Sequence, residues 1–183
     1  MDKGAAFYQQ YLDGDSTGMD GLIREYARAL TFYLYSFVHD VDTAEDLMMD
    51  TFAKLCIKKP RLHGESSFKT WLFAIGRNNA LDYLRKHKTV EMACEDINEI
   101  RDESLLEQTV LRSERDSLLH KCMKHLNQTY YQALWLGYFV GLSTKEIAHV
   151  LGKTTHATEN ILSRARSNLK AELMKEGFHY EDL

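Results

Sequence analysis

A single proline, Pro60, occurs in the whole chain, and only ten of its 183 residues are glycine. That scarcity removes the usual punctuation of strand-and-turn architectures and favours long helices. Cysteine is scarce too, with three in the chain. Cys56, Cys94 and Cys122 are scattered and odd in number, which argues against a disulfide framework and for a reducing, cytoplasmic setting. No unbroken apolar run is long enough to span a bilayer, so membrane insertion is not expected. The opening MDKGAAFYQQYLDGD has no apolar stretch behind a basic start and does not read as a secretion signal. Catalytic signatures are missing too: there is no P-loop, no GxGxxG and no HExxH. No catalytic residue, cofactor or enzymatic activity is therefore expected. His120, Cys122 and His125 lie close together, but no fourth ligand is evident, so they read as ordinary core or surface residues rather than a metal site.

What the chain does hold is charge in blocks. Its net charge is −4, which taken alone argues against nucleic acid; the distribution argues the other way. Between Lys58 and Lys88 the basic residues Lys58, Lys59, Arg61, Lys69, Arg77, Arg85, Lys86 and Lys88 meet only Glu65 and Asp82. Between Glu91 and Glu107 seven carboxylates face only Arg101. A basic block between acidic ones suits a local phosphate contact. A solvated charged helix face is the commoner fate of such a run, and charge alone does not separate the two readings.

Apolar spacing predicts helices throughout. A short opening helix is expected near residues 3–13. A longer one, near 18–38, carries Leu22, Tyr26, Leu30, Tyr33, Leu34 and Phe37. A third begins at a cap on Asp42 or Thr43, buries Ala44, Leu47, Met48, Thr51, Phe52 and Leu55, and ends before Pro60. After the loop Arg61-Leu62-His63-Gly64-Glu65, Ser66 or Ser67 caps a fourth helix with Phe68, Trp71, Leu72, Ile75 and Leu84 as its buried stripe. The acidic stretch 89–107 has little apolar content and reads as a linker. Helical pattern resumes from Leu105, breaks at Asn127 or Gln128, and returns in the strongly apolar run Tyr130 to Val140.

Residues Gly141 to Leu169 read GLSTKEIAHVLGKTTHATENILSRARSNL. Ser143 with Glu146 three residues on forms a capping box. Ala148 is small where helices cross, and Gly152 supplies a left-handed turn. Lys153, Thr154, Thr155 and His156 then crowd the start of the next helix, the end that enters the major groove in a helix-turn-helix. Arg164, Arg166 and Lys170 lie where they can reach phosphates. An ordinary helical hairpin shares the cap and the glycine; the polar and basic start of the second helix favours DNA binding.

The segments DTAEDLMMDTFAKLC and SFKTWLFAIGRNNALDYLRK resemble region two of the sigma-70 family, and LLHKCMKHL, GLSTKEIAHVLG and LSRARSNL resemble region four. The match is to the extracytoplasmic-function (ECF) group, which keeps only those two regions, and covers roughly residues 10–172. Trp71, Ile75, Arg77-Asn78 and Asp82-Tyr83-Leu84-Arg85 are its most specific part. The resemblance implies an all-α fold of two small helical domains: region two over 1–88, an acidic linker over 89–107, region four over 108–176, and a tail over 177–183. It implies a cytoplasmic factor of bacterial transcription initiation whose partners are core RNA polymerase and promoter DNA, duplex and melted, and which an anti-sigma factor commonly holds inactive.

By the same resemblance Glu45, Asp46, Met49 and Asp50 face the polymerase, with Met49 standing where the family usually has glutamine. Arg61, Leu62 and His63 fall in the segment that captures a base flipped from the minus-ten element. Lys69, Arg77, Asn78, Asn79, Arg85, Lys86 and Lys88 contact the melted strand. Ser143, Thr144, Lys153, Thr154, Thr155, His156, Glu159, Asn160, Arg164 and Arg166 serve the minus-thirty-five element. Glu159 departs from the family's usual lysine: either it accepts from a cytosine or it weakens this module. The rival to this whole picture is a conventional helix-turn-helix regulator that binds duplex DNA without polymerase.

Overall fold

The computed structural model describes residues 2–59, 67–87 and 114–177. Among these residues there are eight helices and no strand: α1 (Lys3–Leu12), α2 (Thr17–Val38), α3 (Val41–Lys58), α4 (Phe68–His87), α5 (Glu114–Lys124), α6 (Gln128–Tyr138), α7 (Thr144–Leu151) and α8 (Thr155–Lys175). The acidic stretch 89–107, the loop residues Arg61, Leu62 and His63, and Lys88 lie outside the described residues.

The helix ends follow local chemistry. The Asp40 carboxylate accepts from the Thr43 amide at 2.8 Å and starts α3 two or three residues earlier than Asp42 or Thr43 would. The chain can turn there because His39, closing α2, is left-handed at φ 53°. The Ser67 hydroxyl accepts from the Thr70 amide at 3.3 Å at the start of α4, and Asn127 caps α6 through the Tyr130 amide at 3.0 Å. Ser143 caps α7 with both halves of the capping box in place. Gly152 then turns left-handed at φ 62° and ends α7, a conformation that would strain any other residue type. Thr154 caps α8.

The first four helices form one packed unit. α1 and α2 run as a hairpin whose close approach depends on Gly18, where a Cβ would lie 2.4 Å from the Phe7 carbonyl oxygen. α2, α3 and α4 bury Leu22, Leu30, Leu34, Leu55, Phe68, Leu72 and Phe73 together, each full burial contributing on the order of 1.5–3 kcal/mol. The buried arc of α4 is not quite the predicted stripe. Phe68, Leu72, Phe73, Gly76, Asn79 and Ala80 are buried, whereas Trp71, Ile75 and Leu84 are only partly so. The arc is rotated because α4 packs against α2 and α3 on one side and α7 on another.

The last four helices form a second unit around Trp135, which is fully buried. The two units share one hydrophobic core through α2. Leu30, Tyr33 and Leu34 face α3 and α4, while Phe32 stacks on Trp135 with ring centroids 5.2 Å apart. The Trp135 indole N–H donates to the Ala29 carbonyl at 3.2 Å.

Candidate nucleic-acid interface

Three surfaces carry the residues singled out from the sequence. The first is the outer face of α3. Its inner face buries Ala44, Leu47, Thr51, Phe52 and Leu55, so helical periodicity sends Glu45, Asp46, Met49, Asp50 and Ala53 into solvent together, and all five are exposed. Met49 is 56 % exposed and sits between carboxylates. An apolar side chain flanked by acids is suited to a partner with a hydrophobic patch rimmed by basic residues.

The second surface is α4. Asn78, Arg85 and Lys86 are exposed, and Lys69 and Arg77 are half-buried. Arg85 pairs with Asp82 on the same helix. Asn79 behaves differently: it is buried, its Nδ2 donates to the Thr51 hydroxyl at 2.8 Å, and its Oδ1 accepts from Lys54. Thr51 in turn donates to the Leu47 carbonyl at 2.7 Å. The Asn79 amide therefore ties α4 to α3 and is turned away from any strand lying along the outside of α4.

The third surface is the α7–α8 helix-turn-helix. Lys153, Thr154, Thr155, His156, Glu159, Asn160, Arg164 and Arg166 are all exposed on α8 and the turn before it. Thr158, one turn in, is fully buried and donates to the Thr154 carbonyl at 3.0 Å, so the outward face at the start of α8 is polar and its inward face anchored. Glu159 Oε2 lies 3.8 Å from the His156 ring Nδ1, and the Asn160 amide nitrogen lies 3.4 Å from His156 Nε2. The three form one exposed polar cluster at the N-terminal end of α8. Ser143 is exposed, whereas Thr144 is partly covered.

Sequence reasoning missed a fourth cluster, between the two units. Glu146 Oε2 accepts from the Ser143 amide and hydroxyl at 2.9 and 2.7 Å, completing the capping box. Its other oxygen, Oε1, accepts from the hydroxyls of Ser67 at 2.6 Å, which precedes α4, and Thr70 at 2.9 Å, in its first turn. Burial pushes the Glu146 carboxyl up. The hydrogen bonds from Ser67, Ser143 and Thr70 outweigh that and hold it down at about 2, against a usual 4.5. Nothing local signals this contact, since 79 positions separate Ser67 from Glu146.

His120 is buried and shares a 2.9 Å hydrogen bond with the Tyr131 hydroxyl, and Cys122 is buried beside it in the core. Among the described residues no three His, Cys, Asp or Glu side chains converge as a metal site. No helix among them is long and apolar enough to cross a membrane.

Comparison with known proteins agrees with this geometry. Residues 22–90 match Sigma-70 region 2 and residues 116–169 match Sigma-70, region 4. The ECF RNA polymerase sigma factor SigM of Bacillus subtilis is 30% identical over 84% of this chain and 93% of its own length. The RNA polymerase sigma factor NccH of Alcaligenes xylosoxydans is 30% identical over 92% of this chain and 93% of its own. Among solved structures, CnrH in complex with the cytosolic domain of CnrY superposes with a TM-score of 0.65 at 25% identity, covering 95% of this chain and 99% of that one. RpoE of Bartonella quintana in complex with the anti-sigma factor NepR gives 0.63 at 25% identity, covering 83% and 94%. With both regions matched in order and relatives covered nearly end to end, the chain belongs to the extracytoplasmic-function group of the sigma-70 family, factors that direct RNA polymerase to promoters.

Proposed function

We propose that the two halves divide promoter work between them, the first binding core polymerase and melting the minus-ten element, the second reading the minus-thirty-five element. The observation that carries this is the pair of opposed faces on the first half. The outer face of α3 is acidic with Met49 at its centre, and α4 exposes Arg85 and Lys86 near its C-terminal end, with Lys69 and Arg77 half-buried along it. A protein that bridges a basic partner surface and a phosphate backbone needs such a division. Glu45, Asp46, Met49 and Asp50 dock on polymerase; Lys69, Arg77, Asn78, Arg85, Lys86 and Lys88 track the melted strand, with Arg61, Leu62 and His63 beside a flipped base. Asn79 is left out of that set, because its amide is committed to Thr51 and Lys54.

In the second half, Lys153, Thr154, Thr155, His156, Glu159 and Asn160 meet base edges, and Ser143, Thr144, Arg164 and Arg166 meet the backbone. The factor works in the cytoplasm and supplies no catalysis; the polymerase makes the phosphodiester bonds. Like CnrH and RpoE, each solved with a partner of its own, it has an anti-sigma protein as a third partner. The test is transcription by purified core polymerase, with and without this chain, on the DNA upstream of its own gene. Initiation at a defined start that depends on the chain is the expected result. Site-specific duplex binding without polymerase, and no effect on initiation, would favour an autonomous helix-turn-helix regulator instead.

A further inference from the structure

A cavity of about 380 Å³ lies among α2, α5 and α6. Protein interiors are close-packed and leave few voids larger than a water molecule, whereas small-molecule sites begin at about 300 Å³. The walls are aromatic: Phe32, Tyr35 and Tyr131 line the cavity together with the His120 ring, which meets Phe32 edge-on with centroids 5.6 Å apart. These walls are braced from behind and from the side. His120 Nε2 and the Tyr131 hydroxyl share a 2.9 Å hydrogen bond, and Phe32 is backed by the Trp135 ring at 5.2 Å. Gln128 Nε2 donates to the Ser36 carbonyl at 2.7 Å and Gln132 Nε2 to the Ser36 hydroxyl at 3.1 Å. A pocket fixed in this way needs little ordering when a ligand enters, which lowers the cost of binding.

His39, Lys124 and Gln128 are the exposed lining residues and form the mouth. Charge there is of one sign. Among the described residues no Asp or Glu lines the cavity. The carboxylate next along the chain, Asp40, is engaged with the Thr43 amide at 2.8 Å, where it caps α3.

We infer that this cavity is a binding site for a small planar aromatic acid, its ring between Phe32, Tyr35 and Tyr131 and its carboxylate beside Lys124 and His39. Each part of that assignment has a separate ground. The volume is near the lower end for ligand sites and suits one or two fused rings rather than a larger cofactor. Aromatic walls favour a flat ring over an aliphatic chain, through offset and edge-on contacts. A lysine and an imidazole at the mouth favour a carboxylate, which accepts charge-assisted hydrogen bonds from both residue types. A cationic aromatic would gain from the ring faces but would meet the Lys124 charge on entry. None of these residues belongs to the polymerase-facing or DNA-facing sets, so the site stands apart from the proposed function.

The test titrates the full chain with naphthoate and with two ligands of the same shape, neutral naphthamide and cationic naphthylmethylammonium, by calorimetry. Binding is located by the indole N–H resonances of the two tryptophans. Trp135 lies one ring behind the cavity wall, whereas Trp71 packs on Tyr8 and Phe68 in the first unit. Two variants at exposed positions accompany the wild type: Lys124→Glu, which reverses charge at the mouth, and Gln128→Trp, which blocks it. Circular dichroism confirms helix content, and Lys124→Glu alone decides if Gln128→Trp fails to fold. The expected result is saturable one-site binding of naphthoate, several-fold weaker binding of the amide and the amine, and a shift at Trp135 with Trp71 unmoved. Affinity for naphthoate should fall several-fold in Lys124→Glu and be lost in Gln128→Trp. No saturable binding of naphthoate would overturn the inference. So would an amide or amine that binds as tightly as the acid, an unaltered affinity in Lys124→Glu, or a response at Trp71 in place of Trp135.

Discussion

Two side chains show how much can depend on a single hydroxyl or carboxyl. Among the described residues, the Tyr33 hydroxyl is the one buried side-chain polar atom without a hydrogen-bond partner. Burial pushes its pKa well above the usual tyrosine value, and the Arg77 charge offsets only part of that. An orphaned hydroxyl costs free energy that a same-shaped apolar ring does not. Tyr33→Phe should therefore stabilise the fold by about 1 kcal/mol, seen as a rise of roughly 2–4 °C in a thermal melt. A lower midpoint would mean the hydroxyl has a partner in solution.

Glu146 makes the opposite case. Its folded pKa, about 2, lies below the usual 4.5, so its contribution is complete above the unfolded value and is lost as pH falls through the folded one. The difference in melting midpoint between wild type and Glu146→Gln should be largest above pH 4.5 and shrink as pH falls toward 2. A difference that stays constant across that window would mean the carboxylate form has no special role. Neither residue advertised itself. Tyr33 looked like one more apolar position in a periodic helix, and Glu146 was legible as half of a capping box, while its other oxygen serves a partner far away in sequence.

At the scale of the element, most of the architecture was legible because it is local. The eight described helices fall where apolar spacing put them, and Ser143, Ala148, Gly152 and the polar start of the next helix marked the helix-turn-helix. Ser143→Ala should cost about 1 kcal/mol through the lost cap, read as a lower midpoint in denaturant, and should also weaken the contact with Ser67 and Thr70 by loosening Glu146. The α3 face was legible for the same reason: a helix that buries Ala44, Leu47 and Thr51 must expose Asp46 and Asp50. Reversing both charges, Asp46→Lys with Asp50→Lys, should weaken association with core polymerase at least several-fold in a binding titration. An unaltered affinity would remove α3 from that interface.

The buried arc of α4 was harder to place. Its rotation comes from α7, a neighbour from the other half of the chain, and periodicity within α4 holds no information about it. The buried amide of Asn79 was missed for a related reason. An Asn-Asn pair in a basic helix looks like two equivalent contacts, and only packing against Thr51 separates them. Arg77→Ala with Asn78→Ala should impair formation of the open complex and spare core binding. Undiminished permanganate reactivity of melted thymines would count against that assignment.

For the whole molecule, sequence reasoning supplied two units and an acidic stretch between them, with no grounds for a fixed arrangement. The structure has the units joined through α2, whose opposite faces pack against different partners: Tyr33 against Phe73 and Phe32 against Trp135. One helix thus packs against both units within the single hydrophobic core. Contacts of this kind join positions roughly a hundred residues apart, and no local pattern encodes them.

The two oxygens of Glu146 have a consequence for how such a chain can diverge. Oε2 sets where the reading helix pair begins, and Oε1 sets how firmly the halves adhere. A substitution there that alters one alters both, so the start of α7 and the contact between the halves cannot change independently at this position. Ser67 and Thr70 carry no such double duty toward the reading helices. Changing the Thr70 hydroxyl alters the contact between the halves and leaves the start of α7 as it is.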